Sequence, residues 1–65
     1  MAEGTVKFFN TTKGFGFIAG DDGNEYFVHI TGLEEGVRLN EGDRVSFDIV
    51  EGNRGPKAEK VRKLE

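Results

Sequence analysis

The stretch Lys13-Gly14-Phe15-Gly16-Phe17-Ile18 most restricts how this chain can fold. Aromatic residues and glycine alternate one by one, and a period of two belongs to a strand, whose successive side chains point to opposite faces. Phe15 and Phe17 then share one face, Gly16 and Ile18 the other. Glycine inside a strand weakens it and marks a bend or a close backbone approach, which suits the inner wall of a tight barrel. The aromatic face leaves two readings open: Phe15 and Phe17 are core, or they form a ladder of exposed rings with a use.

A second alternating stretch bears on that choice. In Tyr26-Phe27-Val28-His29-Ile30, Phe27 and His29 lie opposite Tyr26, Val28 and Ile30. Between the two stretches, Asp21-Asp22-Gly23-Asn24 is a hairpin turn signal, because Gly and Asn tolerate positive φ. Pairing the strands makes Phe15, Phe17, Phe27 and His29 neighbours on one sheet face, with Lys13 at its end. Three phenyl rings and an imidazole are poor company for a dry core. They suit flat, negatively charged partners, which describes single-stranded nucleic acid: bases stack on aromatic rings at roughly 1–3 kcal/mol each, while cations track the phosphates.

Sixty-five residues make one domain, and a chain this short buries only about 60% of its unfolded surface. With no cysteine and one histidine, neither a disulfide nor a zinc site of the usual kind can be built; no cofactor is expected. No apolar run approaches the roughly 20 residues that span a bilayer, and Met1-Ala2-Glu3-Gly4 lacks a secretory pattern, so a cytoplasmic protein without membrane contact is expected; a monomer is expected as well. The net charge of −3 opposes nucleic-acid binding when taken globally. The acids gather in predicted turns, at Asp21, Asp22, Glu25, Glu34, Glu35, Glu41 and Asp43, whereas Lys7, Lys13, Arg54 and Lys57 can flank the aromatic face.

Along the rest of the chain, Thr5 to Asn10 is a strand by β-branched and aromatic content. Strict alternation groups Val6 with Phe8 and Lys7 with Phe9, so one aromatic looks outward whichever face is core. Thr31-Gly32-Leu33-Glu34 has capping-box spacing, but Gly36 leaves room for only one short turn. Leu33, Val37 and Leu39 are expected in the core. Arg44 to Glu51 predicts a strand with Val45, Phe47 and Ile49 inward and Ser46 and Asp48 outward. Pro56 cannot donate to a ladder, so the last strand is expected from Lys57 to about Leu64. Ala58 and Val61 point inward there, and their spacing of three implies a bulge or an irregular edge. Five short strands without a long helix predict an all-β, closed barrel, which removes exposed sheet edges.

Together these residues resemble the bacterial cold-shock domain, from about Glu3 to Leu64. Lys13-Gly14-Phe15-Gly16-Phe17-Ile18 is similar to the family's first ribonucleoprotein motif and Phe27-Val28-His29 to its second. Gly52-Asn53-Arg54-Gly55-Pro56 matches the loop before the last strand. The resemblance implies a five-stranded antiparallel Greek-key barrel of the oligonucleotide-binding (OB) type. It implies binding of single-stranded RNA and DNA, pyrimidine-rich strands included, with RNA-chaperone activity or regulation of transcription or translation. Phe15, Phe17, Phe27 and His29 would be the stacking platform. Phe8 holds a position where the family usually has a stacking tryptophan, which implies that Phe8 faces outward, that a bulge lies near Phe8-Phe9 and that Phe9 is a partly buried support. Lys7, Asn10, Lys13 and Arg54 match positions that touch phosphates or base edges. The chain departs from the family at Phe8, at Ile30 (commonly phenylalanine), at Val37 (commonly aromatic) and in a loop after Ile30 about two residues shorter, so a shorter or weaker binding track is expected.

Catalysis is a poor fit, because His29 has no cysteine partner and Glu25 reads as a turn residue. The serious alternative is a protein-interaction module that docks a partner on the same phenylalanine patch.

Overall fold

A computed structural model describes residues 1–34, 36–52 and 55–64. Five strands follow in order: β1 (Ala2–Asn10), β2 (Phe15–Gly20), β3 (Glu25–His29), β4 (Arg44–Gly52) and β5 (Gly55–Lys63), with one 3₁₀ turn (Ile30–Gly32) after β3. They close into a barrel in the order β1-β2-β3-β5-β4. Four seams are antiparallel, and the short seam of β3 with β5 is parallel, made by Phe27 opposite Lys57 and Val28 opposite Ala58. This is the all-β barrel that alternation and turn spacing predict.

The core is the inward parity of each strand. Val6, Ile18, Tyr26, Val28, Val45, Phe47, Ala58 and Val61 are buried, and Leu39 plugs the barrel from the 36–43 connection; Phe9, Leu33 and Val37 pack against them. Tyr26 and Phe47 meet at 5.2 Å between ring centroids. Full burial of such side chains stabilises by roughly 1.5–3 kcal/mol each, which a domain of this size needs. Gly16 belongs to the same wall. A Cβ there would press on the Phe8 carbonyl oxygen and come within 2.7 Å of Phe9 Cα. Glycine therefore lets β1 lie close on β2.

Two irregularities decide where side chains go. Between Val6 and Phe8 the β1–β2 register slips by one, leaving Lys7 as an extra residue, and the parity of β1 reverses. The bulge near Phe8-Phe9 is thus present, at Lys7 immediately before Phe8, and it turns Phe8 outward, 43% exposed, with Phe9 partly buried. On the other side of the barrel, Phe47 alone on β4 opposes Lys60 and Val61 on β5. Lys60 takes up the extra residue with φ +53°. This bulge accounts for Ala58 and Val61 both facing inward three positions apart.

Several expectations need correction. Ile49 is 46% exposed instead of inward. The β1–β4 ladder ends at Ala2 opposite Phe47, so beyond Phe47 β4 has only β5 beside it and no inner face to cover. Ser46, expected outward, is 5% exposed. It lines a surface groove with Met1, Glu3, Arg62, Lys63 and Leu64, whose longer side chains cover it. Strand β3 stops at His29, and Ile30 opens the 3₁₀ turn and is exposed. The cap of that turn is His29, not Thr31: the imidazole accepts from the Thr31 N–H. Strand β1 starts earlier than Thr5. Strand β5 includes Pro56, which pairs with Glu51 one residue before the β3 seam begins at Lys57, so no partner on β3 calls for its missing N–H.

Candidate nucleic-acid interface

The outer face of β1, β2 and β3 carries two transverse rows set by register. Phe8, Phe17 and Phe27 lie opposite one another in one row, and Asn10, Phe15 and His29 in the next. The rings touch in a chain. Phe8 and Phe17 are 5.6 Å apart and tilted, Phe17 and Phe27 are 5.8 Å apart and edge to face, and Phe15 and Phe27 are 6.0 Å apart and stacked. Such offset and edge contacts are the favourable geometries for aromatic pairs, so the rings hold each other upright. Phe15, Phe17 and Phe27 are partly buried, and among the described residues no other layer covers them. Together with Glu25 and Pro56 they line an open groove of about 430 Å³.

The polar residues around this face are already partly engaged. Lys7 reaches across β2 to Glu25, Nζ to Oε2 at 2.6 Å, and both side chains are about half exposed. An exposed pair of this kind is worth little and can exchange for a phosphate. The Asn10 Oδ1 accepts the Lys13 N–H at 3.0 Å, while the Gly14 N–H donates to the Asn10 carbonyl at 2.7 Å. Asn10 therefore builds the turn into β2, and its amide NH₂ is the group left to meet a base. That turn needs Gly14, whose φ is +78°. The Lys13 side chain is exposed at the end of the second row. His29 Nδ1 lies 3.2 Å from the Thr31 N–H and 3.0 Å from Thr31 Oγ1. Because Nδ1 accepts from the backbone, the proton of the neutral ring sits on Nε2, which makes Nε2–H a donor. Lys57, opposite Phe27, pairs with Glu59 at 3.3 Å.

The expected residues on described positions are thus brought together: Lys7, Phe8, Asn10, Lys13, Phe15, Phe17, Phe27 and His29. Arg54 lies outside the described residues. Glu25 and Pro56 also line the groove; Glu25 opens β3, as the expected strand from about Glu25 to Ile30 has it, and Pro56 is expected in the connection before the last strand. For Glu25 the signal was available, since it shares parity with Phe27 and His29.

The turns supporting this face are tied by acids. Arg44 clasps Asp21 with two bonds of 2.8 Å and also donates to Thr5, and its hydrogen bonds hold the Asp21 carboxyl below the ordinary range. The Tyr26 hydroxyl donates to Asp22 at 2.6 Å. This lowers the Asp22 carboxyl and raises the Tyr26 phenol. Asp21 and Asp22 are thus engaged within the β2–β3 hairpin turn and its neighbours.

Comparison with known proteins agrees with this geometry. Residues 2–64 match the family model of the "'Cold-shock' DNA-binding domain". The chain is similar to the cold shock-like protein CspLB of Listeria monocytogenes, at 58% identity over 98% of this chain and 100% of the relative. It is 56% identical to cold shock protein CspD of Bacillus subtilis and 53% identical to cold shock protein CspB of Bacillus caldolyticus, with the same coverage. A closed five-stranded barrel, a row of outward phenylalanines and a match across nearly the whole chain make this protein a member of the cold-shock domain family, whose members are nucleic-acid-binding and non-enzymatic.

Proposed function

We infer that this protein binds single-stranded RNA and DNA across the outer face of β1–β3, with low sequence specificity. The observation that carries this reading is the unbroken chain of four rings, Phe8, Phe17, Phe27 and Phe15, on one uncovered face. Each base has a π-face, so a ladder of rings accepts any sequence. Asn10, His29 and Lys7 add hydrogen bonds to base edges or phosphates, and Lys13 and Arg54 add charge. Centroid spacings of 5.6–6.0 Å require neighbouring bases to part from one another. Pyrimidine runs, which stack weakly on themselves, yield most easily, and this supports a pyrimidine-rich preference. Shallow, reversible binding of unpaired strands is the chemistry of an RNA chaperone acting as a monomer in the cytoplasm.

Amide NMR titration with a short oligouridine or oligothymidine tests the reading. Shifts are expected along β1, β2 and β3, and the salt slope should be shallow, about 0.7 per phosphate contact for single strands. Absence of binding at low salt, with the same face shifting only on addition of a protein ligand, would replace this reading with a protein-docking module.

A further inference from the structure

A second groove lies around the corner from the aromatic face. It is lined by Glu34, Val37, Arg38, Arg62 and Lys63 and encloses about 490 Å³. The fold connects it to the first site. Past His29 the chain runs parallel to β5: a Cβ on Gly32 would meet the Ala58 carbonyl, Leu33 bridges Val61, and the Glu34 N–H donates to the Val61 carbonyl at 2.9 Å. The bulge at Lys60 breaks the alternation of β5, and after it Arg62 and Lys63 are both exposed while Val61 stays buried. Lys63 is paired with Asp43 at 3.3 Å. Neither Arg38 nor Arg62 forms an ion pair among the described residues. In a chain of net charge −3, this groove joins, among the described residues, three cationic side chains with Glu34, and Asp43 meets Lys63 beside it.

We propose that this groove is a second, phosphate-holding segment of the nucleic-acid track, which takes the backbone of a strand that leaves the aromatic face past His29 and Ile30. The inference rests on the stacking role of that face. From Lys57, beside Phe27, to Arg62 is five residues of β5, at most about 16 Å at strand rise, or roughly three nucleotides of a strand whose bases are parted as on the ring ladder. The groove offers no aromatic surface, so it holds phosphates without reading bases. Arg38 and Arg62 supply planar forks suited to phosphate oxygens. Binding there lengthens the occupied site without changing sequence preference.

Oligothymidines of about six and about twelve nucleotides, within the range of single-barrel site sizes, separate the two segments. For the double variant Arg38→Ser, Arg62→Ser, affinity for the longer strand is expected to fall about five- to tenfold. Its salt slope should drop by about 1.4, two contacts at about 0.7 each, while the shorter strand loses less than twofold. Amide shifts at Arg38, Arg62 and Lys63 should follow the longer strand only. Both arginines are exposed, and thermal unfolding checks that the variant keeps its fold. Equal losses on both lengths would reveal general charge attraction and overturn the proposal, as would wild-type affinity for the longer strand. Failure of wild type to bind either strand would strike the stacking face itself, a result distinct from normal short-strand binding with no gain from length.

Discussion

The same residue type lies on both sides of this barrel wall and meets two fates. Phe47 is fully buried against Tyr26, whereas Phe8 is 43% exposed and Phe15, Phe17 and Phe27 stand only partly covered. Nothing about phenylalanine distinguishes them. Phe47 lies on the parity of Val45 in β4, and Phe17 lies opposite the parity of Ile18 in β2. An inner ring is surrounded on every side, so its removal leaves a cavity. An outer ring meets neighbouring rings on its own face and is open on its outer side, so its removal leaves a gap that water fills.

The sharpest test of this contrast is Phe47→Ala. A cost of about 3–5 kcal/mol is expected, a large share of what a small domain possesses, and urea titration should find little folded protein. Next, Phe17→Ala should lower affinity for single strands by roughly 1–3 kcal/mol while cooperative unfolding survives. Equal destabilisation by the two substitutions would erase the distinction between the faces. A smaller effect is expected at the bulge opposite Phe47. Lys60 holds φ +53°, a left-handed conformation that costs L-residues about 1–2 kcal/mol and glycine little. Lys60→Gly should therefore raise the unfolding free energy modestly, by up to about 1 kcal/mol after the entropy cost of glycine, and with it the unfolding midpoint. A lowered midpoint would mean that the Lys60 side chain contributes more than its backbone strain costs.

Acid gives the mildest perturbation. Asp21, Asp22 and Asp43 are held below the ordinary carboxyl range, by Arg44, by the Tyr26 hydroxyl and by the Asn40 N–H respectively. The unfolded chain, titrating near pH 4, binds these protons more readily than the folded one. Their contribution is therefore present above about pH 4 and is lost as pH falls through the lowered folded values. Thermal midpoints should decline below that pH, less so in Asp21→Asn, whose midpoint starts lower.

Much of the candidate site was legible because it obeys a local rule. Side chains two apart on a strand share a face, so Phe15 with Phe17 and Phe27 with His29 follow from spacing, and a turn of Asp-Asp-Gly-Asn brings the pairs together. Phe8 was different. Simple alternation joins it to buried Val6, and only resemblance to the cold-shock family placed it outside. Glu25 was legible as the first residue of the third strand, but its place beside the rings follows only from its parity with Phe27 and His29.

What the sequence alone determined is the identity of each strand and, within an unbroken strand, which residues travel together, since pleating is a property of the backbone. Tertiary structure decided the rest. The extra residue at Lys7 that turns Phe8 outward appears only in the register of β1 on β2. Ile49 is exposed because β1 ends before it can cover that part of β4, and Ser46 is covered by long side chains from β1 and β5. Each of these depends on the register between strands distant in sequence, which is set when the barrel closes and all its seams must fit at once.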